Sequence, residues 1–128
     1  MSTATHEART RDQIRAARAY AAVEHEHGRE GFAEYERVVQ GLGVVVLRCG
    51  LVGALAWLHR KNEAGRRVLD HLAAAGILGP RRRSGHELLP CACELAVAEY
   101  MVATRETLAV VAWLERAAQA MPKPRKEA

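Results

Sequence analysis

Cys91 and Cys93 stand one residue apart, and His25 and His27 alternate with Glu24 and Glu26. Thiolate, imidazole and carboxylate are the usual ligands of zinc and its neighbours. Spacing decides against both groups. On a helix, side chains two residues apart diverge by about 200°, so neither pair converges on one ion. The cysteines read as small buried apolar residues, and the histidines as a solvated helix end near the negative pole of the dipole. Gly41-x-Gly43 precedes an apolar run, but no third glycine follows at the dinucleotide-binding spacing and no βαβ unit surrounds it. No Ser, Cys or Thr has neighbours that mark an activated nucleophile. The sequence therefore points away from catalysis, from a metal or other cofactor and from a small-molecule substrate.

Basic residues supply the positive signal. Arg11, Arg15 and Arg18 recur at the spacing of one helix face, Arg60 adjoins Lys61, Arg66 adjoins Arg67, and Arg81, Arg82 and Arg83 are consecutive. Guanidinium groups so grouped can meet phosphates through charge-assisted contacts. Ordinary solvated arginine is the competing reading of each group by itself, and the set together favours a polyanion. With six aromatic side chains in 128 residues, there is little to stack bases, so contact would fall on the backbone. The formal charge is only +4, from 19 Lys and Arg against 15 Asp and Glu, but its distribution is uneven. Arg48 to Arg83 carries a net +6, and Glu24 to Glu36 a net −4. Such a chain can face a polyanion on one side and a protein neighbour on another.

The elements that must position these residues read as helices. Hydrophobic residues make up 49%, mostly Ala, Leu and Val, a composition suited to close helix packing. The pattern predicts one compact all-α bundle of five to six helices over residues 1–120, with 121–128 a disordered basic tail. A first helix runs from near Glu7 to His27, with Ile14, Ala17 and Ala21 as its apolar stripe. A second spans about Glu30 to Gln40 and breaks at Gly41-Leu42-Gly43. The third, Val44 to Arg60, is apolar on nearly all sides and so is the central helix, surrounded by the others. A fourth covers Glu63 to Ala75, with Gly76 closing it. Gly79 to Gly85 is an exposed loop. Helical periodicity resumes at Cys91, and Thr104 either caps a separate last helix or lies inside one long one.

The run from Val38 to Leu58 is long enough to raise a membrane span, but Arg48 sits at its middle and four glycines dilute it. A core helix is the reading adopted. Three cysteines, an odd number, and a start without a basic stretch leading into an apolar one argue for reduced thiols and a cytoplasmic location.

Two segments carry a family resemblance. Leu42-Gly-Val-Val-Val-Leu-Arg-Cys-Gly-Leu-Val-Gly-Ala-Leu-Ala-Trp-Leu58 resembles the central helix of the small helical subunit of Cmr-type (type III-B) CRISPR effector complexes, with its apolar run, Gly-Leu step and Ala-Leu-Ala-aromatic-Leu stretch. Glu99 to Arg116 is similar to that family's C-terminal Tyr…Thr…Leu…Trp-Leu-x-Arg pattern. Order and spacing agree over roughly residues 10 to 120. The family often has proline and asparagine where this chain has Gly43 and Cys49. The resemblance implies a non-enzymatic subunit that stacks head to tail with further copies of itself beside the backbone and large subunits. It would lie along the guide RNA and target RNA duplex, with target cleavage left to other subunits. It also singles out Arg48, beside the Gly-Leu step, and Arg116, at the end of the second pattern.

A DNA-binding regulator is the main rival, with the Arg81 to Arg83 loop on the DNA backbone. It would need a short Gly-containing turn followed by a polar, base-reading helix, which the sequence does not offer. A helical-bundle metal enzyme would need Glu-x-x-His pairs on two helices, and the chain has no two such helices.

Overall fold

The computed structural model describes residues 8–81 and 83–123. Among these residues there are five α-helices and no strand: α1 (Arg11–His27), α2 (Phe32–His59), α3 (Asn62–Ala74), α4 (Leu88–Cys93) and α5 (Val97–Ala120), with a 3₁₀ turn at Gly85–Glu87 before α4. The all-α expectation holds.

Helix α1 starts later than the pattern predicted, because Thr10 caps it. The Thr10 hydroxyl accepts the Gln13 N–H at 3.1 Å while the Gln13 side chain accepts the Thr10 N–H at 2.7 Å. This reciprocal box satisfies two of the free donors at a helix start. The buried side of α1 is also rotated from the predicted stripe: Ala19, Val23 and Glu26 are buried, Ala17 and Ala21 exposed. Arg15 opposite Glu106, and His27 opposite Pro122, set α1 alongside α5 in the same direction.

The expected break at Gly41-Leu42-Gly43 is absent. The helix runs through those glycines and breaks instead at Gly50, whose φ of 78° and ψ of 174° lie outside helical space. A left-handed φ costs a residue with a Cβ what glycine avoids. The break folds the two halves back on each other, since a Cβ at Gly41 would lie 3.4 Å from the Trp57 ring. In a straight helix those residues would be about 24 Å apart. Helix α2 is long and apolar enough to cross a membrane by length and composition. Folded at Gly50, it does not present one straight apolar rod.

The freed backbone N–H groups after the break need acceptors. Val52 N–H finds one in the Tyr100 hydroxyl at 2.9 Å. Helix α2 is not enclosed on nearly all sides as its composition suggested: Tyr35, Leu42, Val46 and Leu55 are buried, but Val44 and Leu47 are 54% and 73% exposed.

Helix α3 crosses the end of α2 so closely that a Cβ at Gly65 would lie 2.0 Å from the Leu58 carbonyl oxygen. Only glycine fits there. Helix α3 ends at Gly76, where N–H groups of Gly76 and Ile77 return to the Ala73 and Leu72 carbonyls at 3.0 and 3.5 Å. The long final helix begins at Val97, with Ala96 extended before it, and Thr104 lies inside it, donating to the Tyr100 carbonyl at 2.8 Å. Past α5, the Pro122 carbonyl meets His27 Nε2 at 3.0 Å, and Lys123 Nζ meets Glu36 at 3.0 Å.

Candidate nucleic-acid interface

Helix α1, the C-terminal end of α3, the loop after it and one side of α5 enclose an open groove of about 1270 Å³. Small residues such as Ala22, Ala74 and Gly76 line it, so no large side chain fills the space between the two helices. Five arginines line it as well: Arg11, Arg15 and Arg18 from α1, Arg81 and Arg83 from the loop. Two groups far apart along the chain thus come to one concavity. Glu106 and Asp70 are the carboxylates of that lining.

The five arginines are not equivalent. Arg15 forks onto Glu106, with Nε to Oε2 at 2.8 Å and Nη2 to Oε1 at 2.6 Å, and reaches Asp12 at 2.9 Å. Two parallel charge-assisted bonds of this kind fix both side chains. The bond to Glu106 holds the Arg15 guanidinium above its ordinary pKa and, in return, draws the Glu106 carboxyl below its own. Arg15 is therefore a strut between α1 and α5. Arg83 donates to the Leu78 carbonyl at 3.0 Å, which ties the loop back on itself. Arg11, Arg18 and Arg81 are exposed and have no carboxylate within ion-pair distance among the described residues. Asp70 is occupied by the Gly85 N–H at 3.1 Å. Among the described residues, the groove thus presents to solvent three guanidinium groups without an ion-pair partner. Arg82 lies outside the described residues.

The other predicted basic residues lie apart from the groove lining. Arg60 and Lys61 end α2, with Lys61 Nζ 4.9 Å from the Trp57 ring centre. Arg66 pairs with Glu63 at 2.9 Å. Arg67, half-buried, stands 3.8 Å from Glu26 and 3.9 Å from Glu63 and donates to the Glu30 carbonyl at 3.3 Å. Arg48 is exposed on α2, and Arg116 lies over Trp113 at 4.6 Å.

One polar cluster had no forecast in the sequence. Glu26 is 2% exposed and faces His71 Nε2 at 3.6 Å, while His71 Nδ1 meets the Tyr35 hydroxyl at 2.7 Å. Burial keeps the His71 pKa below its usual value and pushes the Tyr35 phenol up. The cluster joins α1, α2 and α3 and lies mainly inside. The alternation of Glu24 to His27 drew attention to this stretch for the wrong residues: Glu26 turns inward, and His25 outward. Among the described residues no three His, Cys, Asp or Glu side chains converge as a metal site would require.

Residues 11–121 match the family model described as CRISPR-associated protein (Cas_Cmr5). The chain belongs to the Cmr5 family. A relative described as CRISPR system Cmr subunit Cmr5, from Thermus thermophilus, is 35% identical over 113 residues, covering 88% of this chain and 96% of the relative. The crystal structure of a CRISPR-associated Cmr5 family protein from the same organism superposes with a TM-score of 0.81 at 37% identity, over 91% of this chain and 100% of that one. The resemblance read in Leu42–Leu58 and Glu99–Arg116 is thereby borne out, and the chain is a small Cmr-type CRISPR subunit. The two Cmr5-like segments meet in space: Tyr100, from the second, holds the Val52 N–H at the Gly-Leu step of the first.

Proposed function

We propose that this Cmr5 family member is a non-catalytic small subunit that lies along the guide-target RNA duplex of a Cmr-type ribonucleoprotein in the cytoplasm, supporting antiviral RNA interference. It grips phosphates with arginine, and copies stack head to tail beside the backbone and large subunits. The observation that supports it is the groove. It gathers Arg11, Arg18 and Arg81 without carboxylate partners among the described residues, around a lining made mostly of alanine, glycine and aliphatic side chains. Such a surface favours phosphodiester oxygens without sequence preference.

The test is target-RNA binding by the reconstituted complex carrying the triple variant Arg11→Glu, Arg18→Glu, Arg81→Glu. Affinity should fall at least tenfold at physiological salt, and the slope of log affinity against log salt should shrink by about two to three, one phosphate contact per residue. Unchanged affinity and slope, with full incorporation of the variant, would remove the groove from the RNA path.

A further inference from the structure

We infer that the seam between α2 and α5 is a docking surface for an acid-flanked amphipathic helix of another protein subunit. It rests on the chain's place in a multi-subunit complex and not on the RNA groove. Four large aliphatic side chains are exposed there: Val44 at 54% and Leu47 at 73% on α2, Val97 at 76% and Met101 at 53% on α5. Single exposed aliphatics are ordinary, whereas a contiguous group marks an interaction site.

Their contiguity follows from how the helices pack. Gly43 faces Val111, and the Gly50 break faces Tyr100, so residues 43–50 of α2 run antiparallel to residues 100–111 of α5. Turning outward from that contact line at about 100° per residue, α2 presents Leu47 and then Val44. Helix α5 presents Val97 and then Met101. Both turns lead to the same outer side, so the four residues border one shallow furrow between two helices. A furrow of this shape accepts a third helix whose aliphatic residues recur at three and four positions.

Charge names the occupant's flanks. Arg48 continues the exposed line of Val44 by one turn, and Arg105 that of Met101 by one turn. Both are exposed, and neither has a carboxylate within ion-pair distance among the described residues. The partner helix therefore carries glutamate or aspartate on both sides of its aliphatic stripe. A symmetric pairing of two copies would set Arg48 and Arg105 against their own kind. RNA would leave the aliphatic centre unmatched, since the aromatic side chain at the seam, Tyr100, is only partly exposed and its hydroxyl is held by the Val52 N–H.

The inference is tested in the reconstituted complex with Leu47→Asp plus Met101→Asp, and separately with Arg48→Glu plus Arg105→Glu. Each pair should lower incorporation of the chain, read by native mass spectrometry, at least tenfold, while the thermal melt of the isolated chain stays within a degree or two. The isolated chain should also bind an 18-residue helical peptide with leucines at three- and four-residue spacing flanked by glutamates, and lose it when lysines replace the glutamates. A p-benzoylphenylalanine at Leu47 should crosslink to a different subunit. Normal incorporation of both variants, or crosslinks that run to another copy or to RNA, would overturn the assignment. The groove triple variant should behave in the opposite way, incorporating fully while losing RNA affinity, so the two readings fail separately.

Discussion

The groove beside α1 and the corner where α2 meets α3 carry nearly equal numbers of basic residues, yet they present different surfaces. In the groove one arginine, Arg15, satisfies Glu106 and Asp12, which leaves Arg11, Arg18 and Arg81 unpaired among the described residues. At the corner Arg66 and Arg67 share Glu63, and Arg67 also faces buried Glu26, so much of the positive charge is answered locally. The density of arginine along a chain therefore says little about the potential it presents. What counts is which carboxylates the fold brings alongside.

Steric tightness at the corner gives the largest test of that contrast. With the Leu58 carbonyl oxygen 2.0 Å from where a Cβ would sit, Gly65→Ala forces backbone to move at the α2–α3 crossing. A loss of about 3 kcal/mol is expected from such overpacking, measured as a shift in the urea midpoint. The groove takes from α3 only its C-terminal end, from Asp70 on, more than a turn beyond Gly65, and should keep its RNA affinity wherever the variant is folded. A parallel loss of affinity would mean that the two regions do not act separately.

The Arg15 strut comes next. Arg15→Ala removes both bonds to a half-buried carboxylate and should cost about 2 kcal/mol at pH 7. The pH dependence has a definite sign. Because Arg15 lowers the pKa of Glu106, the pair stabilises the fold above the ordinary carboxylate pKa and ceases to do so as pH falls through the depressed one. Unfolding curves of parent and variant should accordingly converge in acid, once the pH has fallen well below the ordinary carboxylate range. A difference that stayed constant from about pH 7 to about pH 2.5 would assign the stability to packing of the arginine stem instead.

These contrasts also explain what the sequence disclosed. Helix content, the α3 boundaries and the exposed turn at Pro80 and Arg81 followed from periodicity and from Gly76 and Gly79, which are local signals, whereas Gly85, at the far end of the expected exposed loop, is buried against Asp70 and opens the 3₁₀ turn. The break in α2 did not. Gly41, Gly43 and Gly50 look alike in one dimension, and the choice among them depends on Tyr100, distant in the chain, whose hydroxyl receives Val52 N–H. In the same way Arg11, Arg15 and Arg18 share a face by spacing alone, but nothing near them announces Glu106. The rotated stripe of α1 has the same origin, since α5 and the Glu26 cluster decide which side turns inward. Long-range partners, absent from any local window, separated structural arginines from free ones.

The smallest expected effect is the sharpest test of the contrast. Arg66 and Glu63 sit one helical turn apart, both more than half exposed, with side chains at 70% and 57%. A pair so hydrated is worth less than about 0.5 kcal/mol, so Arg66→Ala should leave the melting temperature nearly unchanged. If local pairing governs what RNA meets, the same substitution should change target affinity by less than about twofold, because it removes a charge that Glu63 already offsets. Arg18→Ala, which deletes an unpaired charge from the groove, should cost several-fold under identical salt. Equal losses from the two would show that exposed ion pairs open when RNA approaches. The corner would then belong to the phosphate track as fully as the groove, and pairing seen in the free chain would cease to predict which arginines bind.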